Sequence, residues 1–192
     1  MVSTELVIAH TRAWVNRVVI GLNLCPFAKP VEKKAQIRYV VTAAESVDAL
    51  LKALWAEARL LLDADPAAIE TTLLIHPKAL TDFFAYNDFL TVAEAALADL
   101  GGDGVLQLAS FHPRYQFDGT ESDDVSNATN QSPYPTLHLL REASVSRALA
   151  TYPNPDTIFE TNIRTLNALG SEGWQALQAQ CRADASDGDT TE

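Results

Sequence analysis

Apolar residues in the first stretch of the chain recur at Val7, Ile8, Trp14, Val15, Val18, Val19 and Leu22. That spacing predicts a helix over about residues 4–22 with one broad apolar face. It ends at Asn23-Leu24-Cys25-Pro26-Phe27, because proline biases the residue before it away from helical geometry. A polar connector, 29–34, leads to the β-branched and aromatic run 36–41, a strand. Thr42-Ala43-Ala44-Glu45 fits a capping box and opens a helix to about residue 62, broken at Asp63-Ala64-Asp65-Pro66. Residues 70–75 form a second strand, ended by His76-Pro77. Thr81 or Asp82 starts the next helix, with Phe83, Phe84, Leu90, Ala93 and Leu97 inward and Gly101 at its end. After the turn Gly101-Gly102-Asp103-Gly104, the mostly apolar run 105–111 reads as a strand buried on both faces, ended by His112-Pro113.

Residues 114–135 show no sustained period. Structureless segments of that length are uncommon in compact domains and are usually functional or disordered. Tyr115, Phe117 and Tyr134 can anchor this one, so an ordered loop is expected. Beyond Ser132-Pro133-Tyr134-Pro135 a helix is expected, since proline suits a first turn. His138, Arg141 and Glu142 would then share one face. Tyr152-Pro153-Asn154-Pro155-Asp156 is a turn. Ile158, Phe159, Ile163, Leu166 and Leu169 mark a helix ended by Gly170, and Trp174, Leu177 and Cys181 a last one. The acidic tail 184–192 has no large apolar residue and is expected to be disordered, leaving one domain over 1–183.

Strand followed by helix, three times over, implies parallel pairing through right-handed crossovers. The expected fold is α/β: a small, mainly parallel sheet of three strands or slightly more, layered with helices. The runner-up is a ferredoxin-like α+β arrangement with one antiparallel strand hidden in a loop.

Composition narrows the function classes. The net charge of −11, with no basic stripe, argues against nucleic acid and against acidic membrane surfaces as partners. Two cysteines cannot build a disulfide framework, and their spacing fits no zinc motif. With neither a signal peptide nor a membrane-length apolar run, the expected setting is soluble and cytoplasmic. Oligomeric state is open.

The two His-Pro strand ends matter most for a site. If their strands are parallel, His76 and His112 leave the sheet at its carboxyl edge, where open α/β sheets bind ligands. The long loop starts at that edge, and His138 at a helix start would tend to stay neutral. The bland alternative is that each His-Pro only terminates a strand.

The motifs LNLCPFA (22–28), ETTLLIHP (70–77), YNDFL (86–90), ASFHPRYQF (109–117) and NQSPYPTLHLLREAS (130–144) together resemble a bacterial and plastid family known as domain of unknown function 1415. The similarity runs from the first helix to about residue 152. It implies a cytoplasmic protein of this single-domain layout. It supplies no established activity and no catalytic residue, so every role below comes from residue chemistry.

Cys25 is the second focus. A thiol beside proline is reactive if a cation or imidazole lowers its pKa, and otherwise behaves as a small buried hydrophobe. Cys181 lies on an apolar helix face and reads as core. Asp118, Glu121, Asp123 and Asp124 lack calcium-loop spacing and read as a solvated turn. Arg114 and Arg141 are candidates to hold a carboxylate or phosphate, or to form internal ion pairs. Asn127 and Asn130 either shape a pocket or cap turns.

Three readings follow. The first is a small-molecule enzyme at the sheet's carboxyl edge under the 114–135 loop. There Cys25 is the nucleophile, His112 or His138 the base, and Arg114, Asn127, Asn130 and Arg141 bind substrate, which suits acyl or amide transfer or hydrolysis. The second is a metal site of His76, His112 and His138 with a carboxylate or Cys25. The third is a non-catalytic module binding a metabolite or partner. No cofactor is implied by any motif.

Overall fold

The computed structural model describes residues 2–152 and 154–187. Helix α1, Thr4–Trp14, is capped by the Ser3 hydroxyl, which accepts from the Leu6 N–H at 3.1 Å. It runs directly into a π-helix, Val15–Ile20. The short α2, Ala28–Lys33, occupies what reads in sequence as a polar connector. Strand β1 is Ile37–Val41, followed by α3, Val47–Asp63. The N-cap of α3 is Ser46, not Thr42; Thr42 Oγ1 instead accepts from the Ala44 N–H, so the helix starts later than the capping box suggests. Strand β2, Thr71–Ile75, leads to α4, Phe83–Asp99, whose N-cap is Asp82. Strand β3 is Leu106–Phe111, β4 is Thr136–Arg141, α5 is Glu142–Thr151 and α6 is Ile158–Asp187.

The sheet order is β1-β2-β4-β3. β1 pairs parallel with β2, while β4 pairs antiparallel with both β2 and β3. The fold is α/β as expected, with β1, β2 and β3 running one way. The mainly parallel sheet is corrected to a mixed one by β4. The element order also differs from the βαββαβ of a ferredoxin-like fold.

The helix expected to carry His138 is a strand. Residues 136–141 enter the gap between β2 and β3, where both neighbours present unpaired backbone groups that only an extended chain satisfies. Pro135 sits just before the strand, and its carbonyl accepts from the His76 N–H at 3.0 Å. Helix begins only at Glu142. With β4 inserted, β2 is central and buried throughout, and β3 becomes a partly exposed edge rather than a strand buried on both faces.

The two faces of the sheet differ. On one, α3 and α4 pack Leu50, Leu54, Leu61 and Tyr86 against Leu74, Leu137 and Leu139, all wholly buried. Each such leucine contributes roughly 1.5–3 kcal/mol. On the other, α1, the π-helix and α6 pack Trp14, Val18, Leu166 and Trp174 against Leu73 and Phe111. Gly170, at φ 69°, breaks α6 into two helical pieces, as its glycine predicts. The last turns of α6 are anchored: Arg17 forks onto the Asp184 carboxylate, and Ala185 is buried. The tail expected to be disordered from residue 184 is therefore helical through 187, and 188–192 lie outside the described residues. Among the described residues, no helix is long and apolar enough to cross a membrane.

Candidate functional site

The second face of the sheet is only partly filled. Beyond α1, the π-helix and α6, its remaining cover is α2 and α5, two short helices in which no described residue is buried. Between them and the sheet lies a cavity of about 750 Å³. Its floor is the outward-alternating set of the four strands: Ile37, Thr71 and Leu73, Ala109 and Phe111, His138 and Leu140. Trp14, Val15 and Val19 form one wall, Cys25 to Ala28 with Val31 another, and Ser144, Val145 and Ala148 of α5 a third. The Phe27 and Tyr152 rings, both in the lining, meet edge to face at 5.8 Å. The volume and the apolar lining with few polar groups suit a small-molecule site.

His138 is the central polar group of the floor. Its register partners are Leu73 and Ala109. Thr71 Oγ1 donates its one proton to the Leu139 carbonyl at 2.6 Å, so it can only accept from His138 Nε2, 2.7 Å away. This pattern assigns the proton to Nε2 and leaves Nδ1 as a lone-pair acceptor. Nδ1 has no hydrogen-bond partner among the described residues. Burial pushes the ring's pKa down to about 4, so His138 is neutral at pH 7.

Cys25 reaches the same cavity from the turn after the π-helix. The Leu24 and Cys25 N–H groups both donate to the Val19 carbonyl, at 2.9 and 3.4 Å. Asn23 takes the left-handed conformation, φ 54°, that this reversal demands and that asparagine tolerates. The thiol is half-buried. Burial pushes its pKa up, with the Phe27 and Ala28 N–H groups pulling the other way. At neutral pH it is a thiol, not the depressed-pKa thiolate of an activated nucleophile.

Arg141 also lines the cavity, as do Gln107, Glu70 and Arg147. Arg147 lies 3.8 Å from the Glu70 carboxylate and donates to Ser144 Oγ at 2.9 Å.

The His-Pro histidines lie on the other face. They leave the sheet at the same edge, as expected, but β4 separates their strands and Tyr86 stands between their rings, with centroids at 5.7 Å from His76 and 5.2 Å from His112. His76 Nδ1 donates to the Ala79 carbonyl at 2.9 Å, and burial lowers its pKa to about 4. His112 Nδ1 accepts from the Arg114 N–H at 3.0 Å, and burial lowers its pKa as well. Both Nε2 atoms are buried without a hydrogen-bond partner. Neither ring lines the cavity.

The loop 114–135 is ordered around a 3-10 turn, Val125–Thr129, and contributes nothing to the cavity lining. Asn127 is wholly buried within it: Oδ1 accepts from Phe117 N–H and Thr120 Oγ1, and Nδ2 donates to the Glu121 carbonyl. Asn130 Nδ2 donates to the Ser110 carbonyl. Arg114 is exposed and donates to the Thr81 carbonyl and Asp82. The structure thus brings together Cys25 and His138. Arg141 borders the cavity at the end of β4, but its guanidinium donates to the Leu61, Ala64 and Ile69 carbonyls at the end of α3, and His112, Arg114, Asn127 and Asn130 lie elsewhere. The metal reading fails on the same geometry. His138 is across the sheet from His76 and His112, and no group of three His, Cys, Asp or Glu among the described residues could hold a metal ion.

Sequence reasoning missed Thr71, Ala109 and Leu140. The signal was available in Thr136-Leu137-His138-Leu139-Leu140: a β-branched start and an alternation that separates His138 from its leucine neighbours. The helical spacing of His138, Arg141 and Glu142 masked it.

No curated protein and no solved structure matches the chain. Residues 6–176 match the family model described as "Protein of unknown function (DUF1415)", and the chain belongs to that family.

Proposed function

We propose that the protein binds a small, mostly apolar molecule in the cavity between the sheet and helices α2 and α5. The observation that carries this reading is the neutral imidazole of His138 on an otherwise apolar floor. Thr71 fixes its tautomer, and its free Nδ1 can accept one hydrogen bond. A few placed polar groups in an apolar concavity orient a ligand whose affinity comes from buried surface. His112, Arg114, Asn127 and Asn130 take no part.

The test is a fluorescence titration with N-phenylnaphthylamine, a neutral apolar dye. The wild-type chain is expected to give saturable enhancement. Ala109→Trp places an indole on the cavity floor and should weaken binding by at least about tenfold, equivalent to about 1.4 kcal/mol. Equal binding by both chains would contradict the reading.

A second reading is favoured by one observation, that Cys25 and His138 share this cavity. In it, the thiol proton passes to His138 Nδ1, the sulfur bonds to a substrate acyl carbon, the imidazolium hands that proton to the departing alcohol or amine, and water then hydrolyses the thioester to restore the thiol. With the thiol pKa raised and the imidazole pKa lowered, that proton transfer runs uphill, so binding is placed first. Turnover of p-nitrophenyl acetate lost in Cys25→Ser, with dye binding kept, would promote it. Equal rates in the two chains would remove it.

A further inference from the structure

We infer that the ligand of this cavity is a phenol, a neutral aromatic alcohol whose hydroxyl donates to His138 Nδ1 and whose ring packs against Phe111 and Trp14; this rests on the cavity being a ligand site. The direction of that hydrogen bond is fixed by the protein. The Leu139 carbonyl takes the only proton of Thr71 Oγ1, Thr71 Oγ1 takes the Nε2 proton of His138, and Nδ1 is left with a lone pair. That lone pair accepts from an O–H and repels the oxygen of an ether, a ketone or a carboxylate. Other polar groups of the lining are already engaged. Ser144 Oγ accepts from Arg147, and the Cys25 sulfur meets the Phe27 and Ala28 N–H groups.

The charged groups of the lining favour a neutral ligand. Glu70 and Arg147 sit 3.8 Å apart and offset each other. The Arg141 guanidinium is turned to the end of α3, where Nη2 donates to the Leu61, Ala64 and Ile69 carbonyls at 2.7, 2.8 and 3.1 Å. An ionic head in the cavity would be buried without a partner, which costs far more than burying a hydroxyl that donates. The rings of the floor favour an aromatic body. The Phe111 centroid lies 5.2 Å from Trp14 and 5.9 Å from His138, so three rings stand in a row beside the acceptor. Aromatic rings take up a further ring at roughly 4.5–7 Å, edge to face or offset, with a gain beyond the buried area. A phenol's hydroxyl is also more acidic than an alkyl alcohol's and is the stronger donor.

The experiment displaces N-phenylnaphthylamine from the full chain with 2-naphthol, 2-methoxynaphthalene, 2-naphthoate and decahydro-2-naphthol, which share one bicyclic skeleton. 2-Naphthol is expected to displace the dye at a concentration at least about tenfold below that of the ether, the gain from one hydrogen bond to a buried acceptor. The saturated alcohol should fall between them, and the carboxylate should be the weakest. His138→Phe removes the acceptor, and Thr71→Val frees the ring proton to move onto Nδ1. Each should bring the ratio between naphthol and ether to about one, whereas Thr71→Ser keeps both hydroxyl contacts and should keep the preference. Melting curves accompany the variants, and the wild-type series stands without them. The ether matching naphthol on the wild-type chain, or a preference that survives His138→Phe, would overturn the donated hydroxyl and leave the cavity a ligand site. The saturated alcohol matching naphthol would overturn the aromatic body. A dye that never binds would overturn the ligand site as well.

Discussion

The two faces of this sheet are built from the same four strands and behave oppositely. Under α3 and α4 the alternate residues Leu74, Leu137 and Leu139 are wholly buried, and the two polar rings that intrude, His76 and His112, are sealed against Tyr86. On the opposite face the intervening residues Leu73, His138 and Leu140 border open space. Two long helices cover the first face, whereas on the second α1, the π-helix and α6 cover one part and two short helices with no buried described residue leave the rest open. A histidine's chemical availability here follows from its side of the sheet and not from the motif around it.

The largest expected difference between the faces concerns neighbours on β4. Leu139→Ala removes a wholly buried side chain and should cost about 3–5 kcal/mol, because the packed layers cannot close over the gap. Leu140→Ala enlarges a cavity that already exists and should cost about 1 kcal/mol. Urea unfolding of both variants checks this, and equal losses would erase the distinction.

Acid is the next lever. His76 and His138 both have folded-state pKa values near 4, against 6.5 for the free side chain. Above pH 6.5 neither state binds the proton and the stability is full. Between 6.5 and 4 the unfolded chain binds protons that the folded chain does not, so stability falls as pH drops toward 4. Each ring accounts for on the order of 3 kcal/mol at most. NMR titration of the ring protons reads the two sites separately. Either ring protonated at pH 6 in the folded chain would contradict the burial assigned to it.

Thr71→Val leaves the His138 Nε2–H without its acceptor. The expected cost is about 1–2 kcal/mol, with the ring proton freed to move to Nδ1 and the acceptor lost from the cavity. A ring tautomer unchanged by nitrogen chemical shift would argue against the assignment. The smallest effect is expected at the chain end. Removing 184–192 takes away the Arg17 partner and the buried Ala185, so melting should fall by about 1–3 °C. An unchanged melting temperature would show these turns to be unanchored.

Much of the layout was legible in the chain because its strongest signals are local. The breaks at Pro26, Gly101 and Gly170 and the cap at Asp82 depend only on nearby residues, and they hold. β4 was misread because the helical spacing of His138, Arg141 and Glu142 competes with its short alternation, and what decides for the strand is pairing with β2 and β3, which lie far from it in sequence. Missing β4 carried the site astray. On a helix, His138 and Arg141 share a face, and the His-Pro edge looks like the place of convergence. On a strand, His138 turns to the other side, where Cys25 lies. The cavity itself has no sequence signature, since it arises from what α2 and α5 fail to fill.

The most direct test of the hollow face is diffraction from crystals held under xenon, which enters dry apolar cavities. Density for xenon is expected against Leu73, Ala109 and Phe111, with none beneath α3 and α4. A cavity without xenon, with α2 and α5 closed down onto the sheet, would contradict the account.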